Sequence, residues 1–207
     1  NLMQTYLRRR KFAEAMRAAD QQIVYRETIR GEARNVCFTQ LEKSHNMTDT
    51  LAALSSLAQH HWSETDDYLQ RLYQQCQHDP QVIDKWFAIQ AGSRLPDTLQ
   101  RVKTLLNHTA FRFTNPNKVR ALIGRFCMAN QVRFHAADGE GYRFLTDQVL
   151  ALDKINPQMA ARLVSTLSRW RRFDANRQDL MQTELKRILS APEISKDTFE
   201  IVSKSLD

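Results

Sequence analysis

Three Asx-Pro pairs, Asp79-Pro80, Asn115-Pro116 and Asn156-Pro157, constrain this chain more than any other feature. In each pair a capping side chain precedes a proline. Its oxygen accepts an orphan backbone N–H at a helix start, and the proline sits where no N–H is needed. Apolar residues then follow at close to the helical spacing of about 3.6. Val82, Trp86 and Ile89 form one stripe, widened by Ile83 and Phe87. Val119, Leu122, Ile123 and Phe126 form another, and Met159, Leu163 and Leu167 a third, flanked by Ala160 and Val164. The pairs recur after 36 and 41 residues. That is the length of a two-helix repeat that buries its apolar face by stacking on its neighbours. The letters do not repeat, so the periodicity is one of structure.

The spacing predicts helices near 2–29 (with a possible break), 31–43, 48–59, 64–77, 80–91, 97–107, 116–129, 140–153, 157–169, 174–189 and 195–206. Ser63-Glu64-Thr65-Asp66 reads as a capping box with Asp66 in place of the usual Glu, and Ser195 opens the last helix as a cap. Asn130 to Gly141 breaks the rhythm and reads as an ordered irregular loop, in which only 131–135 has extended character. Five glycines in 207 residues leave little room for hairpin turns or phosphate loops. The expected fold class is therefore all-α, with antiparallel helical hairpins stacked into an α-α superhelix of HEAT/ARM type. Strand content is expected to stay under about 5%.

No run approaches the ~20 apolar residues that span a bilayer, and the chain does not open with a signal-peptide pattern. Three widely spaced cysteines, Cys37, Cys76 and Cys127, form neither a disulfide framework nor a metal knuckle. Buried thiols in a reducing compartment are the simplest reading, which makes the cytoplasm the expected location. The first residue is Asn1, and helical pattern begins at once with Leu2, Met3, Tyr6 and Leu7. The expectation is a piece cut from a longer protein, with the bared apolar patch centred on Leu2, Met3, Tyr6, Leu7 and Phe12.

Catalytic constellations are scarce. Neighbouring His60 and His61 point about 100° apart on a helix and do not easily share a metal. No His-Glu-x-x-His, Gly-x-Ser-x-Gly or Cys-His pair is present. His135 with Asp138 is the one compact acid–base pair; its structural reading makes Asp138 a cap and His135 a loop anchor. Gly139-Glu140-Gly141 follows no strand, so it is no dinucleotide loop. The formal charge of +7 includes Arg8-Arg9-Arg10-Lys11, the arginines around Trp170, and seven Lys/Arg without an acid from Thr98 to Ala137. Such surfaces suit phosphate contacts; a solvated face, or one covered by the rest of a longer chain, is the favoured reading.

Gln158 and Arg162 stand four apart on one helical face, opposite the Met159–Leu163–Leu167 stripe, and Ser165 and Arg169 extend that face. Arg120 precedes Gly124 by four residues, which leaves space beside its stem. An arginine so placed can hold a carboxylate through two hydrogen bonds, or can form a structural salt bridge.

Several blocks then occur in order: Ala33-Arg34-Asn35-Val36-Cys37, Asn46 to Leu54, Asp84-Lys85-Trp86-Phe87, Asn115-Pro116-Asn117, Phe134-His135-Ala136 with Asp138-Gly139 and Gly141-Tyr142, Asn156-Pro157-Gln158, and Ala161-Arg162-Leu163. From about residue 30 to its end the chain resembles the C-terminal helical domain of bacterial aminopeptidase N, a zinc metallopeptidase family. The resemblance implies that residues 1–207 are a single all-α unit, the greater part of a C-terminal domain. It implies a cytoplasmic parent enzyme that removes N-terminal residues from peptides, with zinc held in an upstream catalytic domain by a His-Glu-x-x-His motif this chain lacks. The chain itself is then no enzyme. Its implied partners are that upstream domain and the peptide substrate, with neither nucleic acid nor membrane. Its implied role is a bowl of helices that encloses the substrate chamber and gates access, with Arg120, Gln158 and Arg162 on chamber-lining positions. A free-standing helical scaffold that binds peptide or protein is the alternative, ahead of a nucleic-acid-binding solenoid.

Overall fold

The computed structural model describes residues 30–207. The expectations for the helix at 2–29, the Arg8–Lys11 cluster and the apolar patch at Leu2–Phe12 fall outside the described residues. The described residues fall into two compact units, one ending at Ala53 and the other Leu54–Asp207. All regular structure among them is helical: α1 over 30–43, α2 (Met47–Leu57), α3 (Ser63–Cys76), α4 (Pro80–Ala91), α5 (Thr98–Leu105) and α6 (Pro116–Val119). After these come α7 (Gln131–Phe134), α8 (Glu140–Asp153), α9 (Pro157–Val164), α10 (Ala175–Leu189) and α11 (Lys196–Leu206). None of these helices is long and apolar enough to cross a membrane.

In the first unit, Asn46 starts α2. Its Oδ1 accepts the Asp49 N–H at 2.9 Å, and its Nδ2 donates to the Asp49 carboxylate at 2.7 Å. In the second unit the Asx-Pro starts form as their chemistry requires. Asp79 Oδ1 accepts the N–H groups of Gln81 and Val82, Asn115 Oδ1 those of Asn117 and Lys118, and Asn156 Oδ1 that of Met159. Ser195 caps α11 through the Thr198 N–H.

The capping box at Ser63–Asp66 does not form. Ser63 already lies inside α3, Trp62 holds the extended cap position without a side-chain cap bond, and the Ser63 hydroxyl donates to Glu64. Asp66 is drawn instead to Arg101, 2.6 Å away.

Two helices change pitch where a uniform α-helix was expected. α6 runs directly into a π-helical segment, Arg120–Ala129, and α9 into a 3₁₀ segment, Ser165–Arg172. The expected extended stretch at 131–135 is instead the helical turn α7. Asn130 explains the difference. Its Oδ1 caps the Arg133 N–H, while its Nδ2 donates to the carbonyls of Ala91 and Ser93, at 3.0 and 2.6 Å. Phe134 is thereby driven into the core, edge-on to Phe126 and Tyr142. The following turn needs its glycines: Gly139 has φ +69°, and a Cβ on Gly141 would stand 2.3 Å from the Phe134 carbonyl oxygen.

Within Leu54–Asp207, α4 packs on the π segment, α8 on α9 and on α10, and α9 on α11. Most long-range polar ties across this unit span one repeat. Examples are Ser93 Oγ to the Ala58 carbonyl and Lys118 Nζ to Asp84. Trp170 Nε1 donates to the Ser205 carbonyl, and Asp153 accepts from Ser195 and Thr198.

Candidate functional site

A cleft of about 290 Å³ opens where α4, the π segment and α9 meet. Arg120, Gly124, Arg125 and Met128 line it from the π segment, Met159, Arg162 and Leu163 from α9, and Ala88 from α4. Arg120 and Arg162, 42 residues apart in the chain, therefore line one cleft. Arg120 is steadied by its own helix start: its Nε donates to the Pro116 carbonyl at 3.3 Å and its Nη2 to Asn117 Oδ1 at 3.0 Å. Gly124 leaves the space expected of it, since a Cβ there would come only to 3.9 Å from Arg120 Cβ. Arg162 is exposed, and its guanidinium has no hydrogen bond or ion pair among the described residues. The half-buried Met159 lines the cleft with it. Gln158 is exposed one turn earlier and does not line this cleft.

The sequence reading missed Arg125. On an α-helix, residues five apart lie about 140° apart around the axis. A π-helix bonds each residue to the fifth along, which makes them neighbours. Arg120 and Arg125 therefore face the same cleft only because this segment is π-helical, and a period of 3.6 carries no sign of that.

The arrangement is an open, cationic, partly apolar cleft built on an ARM-like stack, and comparison with known proteins places that stack. Residues 9–207 match a family model described as "Domain of unknown function (DUF3458_C) ARM repeats". This chain belongs to that family. The ARM-repeat domain is 40% identical over 205 residues to aminopeptidase N of Haemophilus influenzae, covering 92% of this chain and 24% of the relative. It is 40% identical over 163 residues to aminopeptidase N of Caulobacter vibrioides, covering 79% of this chain and 19% of the relative. Among solved structures it matches the crystal structure of Legionella pneumophila aminopeptidase A in complex with aspartic acid. That match has a TM-score of 0.80 and 40% identity, over 84% of this chain and 20% of that one. The chain thus spans about a quarter or less of the relatives it matches, and corresponds to the C-terminal part of bacterial aminopeptidase N.

The remaining candidates serve the fold. His135 and Asp138 do not act as a pair. Asp138 Oδ1 accepts the Glu140 N–H, while His135 Nδ1 shares a 2.9 Å hydrogen bond with the Tyr142 hydroxyl and its ring stacks on Phe173 at 4.3 Å. Burial, with a smaller contribution from the nearby Arg177 charge, lowers the His135 pKa to about 4. Burial likewise pushes the Tyr142 hydroxyl up to about 12.

Three of the seven cations in the acid-free stretch at 98–137 meet acids on other elements: Arg101 meets Asp66, Lys103 meets Glu140 and Lys118 meets Asp84. Arg171 covers the Trp170 ring and donates to the last carbonyls of α11, Ser205 and Leu206. Cys127 is buried in the core, and burial raises its thiol pKa. Among the described residues no group of three or more His, Cys, Asp or Glu is placed to hold a metal ion.

Proposed function

We propose that this ARM-repeat domain, acting as one unit over 1–207, caps the catalytic domain of an aminopeptidase N-type zinc enzyme. It walls the substrate chamber and gates access to small peptides. The upstream part of the same polypeptide holds the zinc and does the chemistry in the cytoplasm; this chain contributes binding alone. Arg162, with Arg120 in the same cleft and Gln158 one turn earlier on α9, holds the C-terminal carboxylate of the peptide.

One observation carries this reading: Arg120 and Arg162 converge on a single cleft whose lining contains no acid. A guanidinium left without a carboxylate partner in a partly apolar recess is suited to take one from a ligand, through charge-assisted bonds worth roughly 1.5–3 kcal/mol. Ground state and transition state both keep that carboxylate, so the contact acts on binding.

In the full-length enzyme, Arg162→Ala is expected to raise KM for short peptides about tenfold and to leave kcat nearly unchanged. Amide substrates without a C-terminal carboxylate are spared. Equal losses on peptides and amides, or a much lower melting temperature, make Arg162 a structural residue and end the proposal.

A further inference from the structure

A second cleft, of about 480 Å³, adjoins the first, and Arg125 belongs to the walls of both. Arg94, Asn130, Gln131 and Gln59 line it as well. No Asp or Glu lines either cleft. The guanidiniums of Arg94, Arg125 and Arg162 make no hydrogen bond or ion pair with the described residues. Elsewhere in the unit Arg101, Lys118, Arg143, Arg177 and Arg187 each find an acid. Arg120 bonds only to neutral oxygens. Four arginines without an acid partner thus line two recesses that share Arg125.

Gly92 helps to set the track. A Cβ at this position would stand 2.9 Å from Arg125 Nε and 3.2 Å from its Nη2, so the guanidinium lies against bare backbone at the end of α4. Recesses lined by one sign of charge concentrate the field and collect ligands of the opposite sign.

We infer that the Arg162–Arg120–Arg125–Arg94 track binds the body of an acidic peptide, with Asp or Glu side chains downstream of its N-terminus seated at Arg125 and Arg94. This rests on the chamber reading and names the class of peptide that the chamber favours. The lining suits a peptide: Met128, Met159 and Leu163 offer apolar contact, and Asn130 and Gln131 offer amides for a backbone. Neither cleft has an aromatic side chain on which a base could stack, which disfavours a nucleic acid.

The test uses the full-length protein and two blocked peptides, Ac-Ala-Glu-Glu-Glu-Glu-amide and its Gln counterpart, with binding measured by calorimetry. Acetylation prevents cleavage, so the result does not depend on turnover. Amidation removes the C-terminal carboxylate, so it does not depend on how Arg162 treats that group. The Glu peptide is expected to bind about tenfold more tightly than the Gln peptide at low salt, and the ratio should shrink as salt rises. Arg125→Gln should lower the ratio to about threefold, and Arg125→Lys, which keeps the charge, should restore most of it. Equal affinities for the two peptides, or a ratio unmoved by Arg125→Gln in a protein of unchanged melting temperature, overturn the inference. So does Arg125-dependent binding of a single-stranded oligonucleotide more tightly than the Glu peptide. If the acidic preference holds while Arg162→Ala leaves KM for unblocked peptides unchanged, the inference stands and the carboxylate-anchor reading falls alone.

Discussion

His135 is wedged between Phe173 and Tyr142, and its environment disfavours the charged ring. Its folded pKa, about 4, lies below the usual value of about 6.5 for an unfolded chain. Between those values the unfolded chain binds the extra proton, so acid favours unfolding. The stabilisation from a neutral His135 is complete above about pH 6.5 and is lost as pH falls toward about 4. Melting temperature measured across this window should drop on acidification, and the drop should be shallower in His135→Asn; parallel curves would show that another group controls it. The caps at Asp79, Asn115 and Asn156 were legible in the sequence because cap chemistry is local, decided by a side chain and the next two or three N–H groups. The Asp66–Arg101 pair was not, since it joins residues 35 apart and took Asp66 away from its expected cap role. Arg125 was hidden for a third reason: its direction depends on helix pitch.

At the scale of elements, the short turn α7 exists because of one side chain. Asn130 caps α7 and satisfies two carbonyls at the end of α4, while being only 4% exposed. Asn130→Ala removes a cap, worth about 0.5–2 kcal/mol, and takes a donor from the Ala91 carbonyl, at about 1–3 kcal/mol, while the Ser93 carbonyl keeps the Thr98 hydroxyl. A loss of about 3 kcal/mol is expected in a urea unfolding curve; a loss under about 1 kcal/mol would mean that water replaces the amide. Asn130→Asp should not rescue it, because a carboxylate can cap but cannot donate. Helix positions were readable from apolar period and caps, and most boundaries agree within a few residues. The changes of pitch in the π and 3₁₀ segments were not, because the same buried stripe, Val119, Leu122, Ile123 and Phe126, is compatible with either winding.

For the whole chain, the repeat period inferred from three Asx-Pro pairs reappears in the cross-links of the folded unit. Apart from the Trp86–Leu69 bond, which spans 17 residues, its long-range polar side-chain ties span 34 to 45 residues, from Lys118–Asp84 to Thr198–Asp153, about one repeat each. The proposed function puts the zinc and the chemistry upstream of this chain. The isolated, zinc-supplemented chain is accordingly expected to release no chromophore from an alanyl anilide substrate; turnover by pure chain would place catalytic residues within it. The one-repeat reach of the ties also has a mechanical consequence. Links joined only to the next link behave as springs in series: a push on one hairpin is absorbed at its own seam, and the small yields add along the stack. The arginine clefts lie at such seams. The spacing between Arg120 and Arg162 is then set by a single joint, where the π segment meets α9, and a change at a distant seam leaves it as it is.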